Sequence, residues 1–156
     1  MKKILRTMAL SLVLLLTNTA HAQIEVSTFK LKPTLLYTTK ALHMSFTCKG
    51  EKKVKYVKAE WCAVNAVGDV SAGLTPNLLL RKVSATGPFL PNKTYRREAT
   101  AGYIGMEKVR ALPVSISIEY MDGTEWETEI NKDNYKQFFP QLKWIDFTVP
   151  GEIADE

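Results

Sequence analysis

The sequence predicts an all-β fold, an antiparallel β-sandwich with one short C-terminal helix. Three observations predict it. Apolar residues recur at every second position in several runs, turn-forming residues separate those runs, and only one stretch has helical spacing. Short strands with little helix bury their apolar faces most readily by packing sheet on sheet.

The first 22 residues stand apart from this pattern and read as a signal peptide. Lys2, Lys3 and Arg6 give positive charge, Met8 to Leu16 are apolar except for Ser11, and Ala20-His21-Ala22 puts small residues at a cleavage site. The apolar run is shorter than the roughly 20 residues that a membrane span needs. Residues 23–150 are expected to form one sandwich domain, and 151–156 an acidic frayed tail. The whole chain has a net charge of +5; without the leader, 18 basic and 16 acidic residues leave +2. Nucleic acid is therefore not implied as a partner. The expected compartment is the periplasm or the exterior, with no membrane span once the leader is removed.

Along the rest of the chain, Ile24 to Leu31 alternates loosely. Leu42, Met44, Phe46 and Cys48 share one face of the next run. After Gly50, Val54 to Val64 puts Val57, Ala59, Trp61 and Ala63 on one face, opposite Lys58 and Glu60. Asn65-Ala66-Val67-Gly68-Asp69 then closes that strand with turn residues. Leu78 to Val83 is a further strand, and Gly87-Pro88 and Pro91-Asn92 are expected to break the chain. Val109 to Tyr120 follows, with Val114, Ile116, Ile118 and Tyr120 in phase.

Asp122-Gly123 marks a hairpin. A two-residue loop would put Glu125, Glu127 and Glu129 on the apolar face of the preceding strand, because a one-residue slip exchanges the faces. A three-residue loop, Met121-Asp122-Gly123, pairs Tyr120 with Thr124, Ile118 with Trp126 and Val114 with Ile130. It needs positive φ at its third position, where Gly123 stands. The three-residue loop is expected. Beyond it, Asp133 is placed to cap a short helix through Tyr135, Lys136 and Phe138 that Pro140 stops. Leu142 to Val149 alternates again, with a phase change after Trp144.

Four segments then suggest a family. Gly50-Glu51-Lys52-Lys53-Val54-Lys55-Tyr56-Val57, Asn65-Ala66-Val67-Gly68-Asp69, Thr86-Gly87-Pro88 and Ile118-Glu119-Tyr120-Met121-Asp122-Gly123-Thr124 occur in that order. Residues 40–130 so resemble a bacterial family of exported immunoglobulin-like or fibronectin-like domains of unassigned function. The Asn-Ala-Val-Gly-Asp and Tyr-Met-Asp-Gly segments are the most specific. Pro91-Asn92 departs from the family's more frequent Pro-Gly, and the sequence after the hairpin is extra. The resemblance implies an immunoglobulin-like sandwich and supplies no catalytic residues. Asn92-Lys93-Thr94 matches a glycosylation acceptor, an accidental match in a bacterial family.

Catalytic and metal chemistry find little footing. His43 is the one histidine after the leader and is out of phase with Leu42 and Met44. No nucleophile elbow accompanies it, and a histidine-based metal site would need a second ligand of its kind. Glu125, Glu127 and Glu129 line one strand face and could hold a cation or flank a glycosidic bond, but such rows usually solubilise a sheet. Asp69 and Asp122 read as turn residues, alongside Asn65, Gly68, Gly87, Pro88 and Gly123. No cofactor is expected.

A Cys48–Cys62 disulfide would close a loop of 15 residues and contribute about 3 kcal/mol. A reversal at Gly50 to Lys53, however, leaves the two cysteines roughly 25 Å apart, against the ~7 Å limit between bridged Cα atoms. The bridge is not favoured. Lys49, Lys52, Lys53, Lys55 and Lys58 make a basic patch that could meet an acidic polysaccharide or headgroup, or simply discourage edge pairing. Trp61 belongs to the core. Tyr103, with Ile104 in the Gly102-Tyr103-Ile104-Gly105 loop, is the aromatic to test for binding. The function expected is a non-catalytic binding module of the cell envelope, meeting a protein or cell-surface ligand through loops or an exposed edge. The alternatives are an inhibitor or assembly factor acting by strand addition, and a carboxylate-based enzyme.

Overall fold

Alternating side chains give every strand an apolar face to bury, and here two sheets bury them against each other. The computed structural model describes residues 23–34, 39–72, 78–103 and 108–150; the leader, Ile104 and the acidic tail lie outside these. Strands β1 (Ile24–Pro33), β2 (Thr39–Cys48) and β5 (Thr94–Tyr103) form one sheet in the order β1-β2-β5. The second sheet takes β3 (Val54–Val64), β4 (Leu80–Phe89), β6 (Arg110–Tyr120) and β7 (Glu125–Glu129) in the order β4-β3-β6-β7. All pairings are antiparallel. A single turn of helix, α1 (Tyr135–Phe138), follows. The all-β sandwich with a short C-terminal helix is the fold observed.

Between the sheets lie Leu42, Met44, Phe46 and Cys48 from one side and Val57, Ala59, Trp61, Ala63, Ile116 and Ile118 from the other, all buried. Phe46 meets Phe89 edge-on at 5.1 Å, and Phe29 meets Trp61 at 6.5 Å and Phe139 at 5.2 Å. Such edge contacts add to the burial of large rings. The loose alternation of β1 has a local cause: the pairing shifts between Val26 and Thr28, so Ser27 is an extra residue and the faces exchange there.

The hairpin has the three-residue loop. Ile118 faces Trp126, Tyr120 donates its N–H to the Thr124 carbonyl at 2.9 Å, and Gly123 has φ +82°. Ile130 donates to the Val114 carbonyl at 2.8 Å and is buried, whereas Glu125, Glu127 and Glu129 are exposed. Val114 itself departs from the expected phase. The β3–β6 pairing shifts between Glu60 and Trp61, leaving Val114 unmatched and turned toward the sheet's outer face.

Other expectations fail for identifiable reasons. Gly87-Pro88 does not break the chain; β4 runs through it as an irregularity opposite Lys55. A Cβ on Gly87 would stand 2.5 Å from the Val54 carbonyl oxygen, so the close approach needs glycine. The actual turn is at Pro91-Asn92, where Asn92 takes φ +58°, a conformation asparagine tolerates next best to glycine. Strand β5 is unforeseen from its charged sequence, Thr94 to Glu98. Asp133 does not cap α1. Asn134 holds that position without a side-chain cap, and Asn131 Oδ1 accepts from the N–H groups of Asp133 and Asn134 at 3.0 and 3.2 Å.

Leu142 to Val149 joins no sheet, although its alternation persists in burial. It crosses the outer face of the four-stranded sheet, where Leu142, Ile145 and Phe147 cover Cys62, Val64 and Leu112 in a second apolar cluster. The Asn65–Asp69 turn supports this segment. Asn65 Oδ1 accepts from the N–H groups of Val67 and Asp69, both at 3.0 Å. Gly68, at φ +98°, leaves room for the Asp146 carbonyl, which a Cβ would meet at 2.5 Å.

Candidate functional site

A two-sheet sandwich has four edge strands, here β1, β5, β4 and β7, and each exposes unpaired backbone groups unless something covers it. The β4 and β5 edges cover one another. Arg97 Nε donates to the Ser84 carbonyl at 3.1 Å, and Arg81 donates to the carbonyls of Ala101 and, at 3.2 Å, Ala72. Arg81 is buried against the Trp61 ring. Among the described residues its Nε and Trp61 Nε1 lack hydrogen-bond partners, and burial holds the guanidinium pKa below its usual value. β7 is protected differently, by being five residues long and lined with glutamates.

β1 is ten residues long and no side chain of the other sheet bridges to it by a hydrogen bond among the described residues, although Lys30 and Lys32 lie on it. Its ten residues pair with β2 on one side, and on the other Val26 to Leu31 line a cleft of about 390 Å³. The facing wall comes from Val109 just before β6, from Arg110 and Ala111 at its start, and from Gln141, Leu142 and Lys143 after the helix. Phe29 and Phe139 give it an apolar floor. Among the described residues the lining holds three cations, Lys30, Arg110 and Lys143, and no carboxylate. All three side chains are exposed.

Some of the charges elsewhere are paired. In the anticipated basic patch, Lys49 meets Glu25 at 3.1 Å, Lys52 meets Asp122 at 2.8 Å and Lys55 meets Glu119 at 2.7 Å. Lys55 and Lys58 also approach the Tyr56 ring, at 5.0 and 5.7 Å. Lys53 is exposed, and its carbonyl accepts from Met121 N–H at 3.0 Å. The five lysines thus do not act as one uncompensated field. The Lys52 ammonium, with the Thr124 hydroxyl and N–H, holds the Asp122 carboxyl well below the usual range. His43 stands 3.7 Å from Glu98 on the outer face of its sheet. Tyr103 ends β5, paired with Thr39, instead of sitting in a loop.

Cys48 and Cys62 are free and buried apart, Cys48 on β2 in the core between the sheets and Cys62 on β3 in the outer apolar cluster of the four-stranded sheet. Burial pushes both thiols up to about 11. They belong to packing, not to nucleophilic chemistry.

A second groove, of about 450 Å³, crosses the outer face and includes Glu60, Glu127, Glu129, Asp146, Trp144 and Phe147. Two of its carboxylates are compensated, Glu60 by Lys82 at 2.6 Å and Asp146 by Lys132 at 3.3 Å. Trp144 stacks on Tyr135 at 5.2 Å and donates its Nε1–H to Asp146 at 3.1 Å. Among the described residues no cluster of three metal-ligating side chains occurs, and no helix is long and apolar enough to cross a membrane.

The cleft was not visible in the sequence. Lys30, Arg110 and Lys143 lie far apart along the chain, and only the irregular alternation of β1 hinted that this strand differs from the rest. No family model, no curated protein and no solved structure matches the chain.

Proposed function

We propose that the chain is an exported, non-catalytic binding module of the cell envelope, an immunoglobulin-like domain that takes an extended segment of a protein partner along β1. The observation that carries this is the unpaired side of a ten-residue edge strand opening into a cleft with an apolar floor. An incoming strand there gains backbone hydrogen bonds from β1 and side-chain contacts from the floor, the two components of recognition by strand addition. The leader supports the export, and the four family-like segments support the domain type. An inhibitor or assembly factor would use the same edge and differ only in what binding does to the partner.

The test is a photo-crosslinking residue placed at Lys30, with Lys58 on the other sheet's outer face as control, in cells that produce the protein. A discrete adduct from position 30 alone is expected, with slowed amide exchange across Val26 to Leu31 in the purified complex. Equal adducts from both positions would refute it. The outer groove gives the carboxylate-enzyme alternative its footing; hydrolysis of an envelope polysaccharide that is lost in Glu127→Ala would replace the binding reading.

A further inference from the structure

We infer that the segment received along β1 is acidic, its carboxylates alternating with apolar residues. The inference rests on β1 taking up a strand, and it adds the chemistry of the partner. Lys30, Arg110 and Lys143 face the cleft from three separate parts of the chain, and among the described residues none has a carboxylate within ion-pair distance.

The geometry of a strand sets the alternation. Residues of an added strand point by turns to the two faces of the sheet. Those turned inward lie over Phe29, Phe139 and Leu142 and must be apolar. Those turned outward stand beside Lys30, where opposite charges on neighbouring strands attract. Val26 to Leu31 spans roughly 20 Å, enough for about six residues of a partner. The same lysine, with Lys32 two residues on, repels the β1 of a second copy. One side chain thus disfavours self-pairing and favours an acidic strand.

Three labelled peptides of alternating sequence test this, with valine at every second position and glutamate, glutamine or lysine between. Binding to the purified protein is read by fluorescence anisotropy at low and high salt, and β1 occupancy by amide exchange. The glutamate peptide is expected to bind about tenfold more tightly than the glutamine peptide, the size that three exposed ion pairs provide together. High salt should remove that difference. The triple variant Lys30→Glu/Arg110→Glu/Lys143→Glu should prefer the lysine peptide; all three positions are exposed, and a thermal melt verifies folding. Equal binding of the glutamate and glutamine peptides, with β1 amides protected by both, would overturn the acidic preference and leave strand addition standing. Binding of no peptide, with β1 unprotected, would overturn both. Binding only after removal of residues 151–156 would assign the cleft to the chain's own acidic tail and overturn the proposal.

Discussion

The two long sides of the sandwich end differently. Along β4 and β5, arginines reach across to carbonyls of the opposite sheet, and the edge is closed from within. Along β1, the facing wall stands back and leaves a cleft whose rim cations have no carboxylate partner among the described residues. An arginine that donates to backbone carbonyls across the sandwich serves stability. A lysine or arginine that faces an open cleft without a carboxylate is free for a ligand. The difference separates structural charge from recognition charge within one domain.

The largest test of this contrast is Phe139→Ala. Phe139 is fully buried and contacts Phe29 beneath the cleft, so its loss should cost about 3–5 kcal/mol in urea unfolding. A cost under ~1 kcal/mol would mean that the cleft floor is not part of the core. Next is Arg81→Met, which keeps much of the volume and leaves the Ala101 and Ala72 carbonyls without their donor. A loss of about 2 kcal/mol is expected, with faster amide exchange confined to β4 and β5. Arg97→Ala removes an exposed bond to Ser84 and should cost about 1 kcal/mol. At the other edge, Lys143→Ala should change stability by less than ~0.5 kcal/mol. If Lys143→Ala proved as damaging as Arg81→Met, the cleft charges would be structural and the contrast would fail.

Much of the sandwich is legible because alternation is a local property. Leu42 to Cys48 and Val57 to Ala63 show their buried faces directly, and Gly123 discloses the hairpin register through its backbone freedom. Elements whose character depends on a distant neighbour are not legible. Thr94 to Tyr103 carries the charges of a loop, yet β2 supplies it a ladder. Gly87-Pro88 looks like a break, yet β3 holds both sides of it in one strand. Leu142 to Val149 has a strand's alternation and no partner with which to form one. The candidate site belongs to this second kind, because its cations come from β1, β6 and the segment after α1.

The sequence by itself determined which faces are apolar, where the hairpin turns, and that the chain builds layered β-structure, since each follows from residues within a few positions of one another. Tertiary structure alone decided which edges are closed, which lysines are compensated, and that Cys48 and Cys62 fall in different sheets and separate apolar clusters. Those outcomes depend on which strands meet across the core, and separation along the chain carries no record of that meeting.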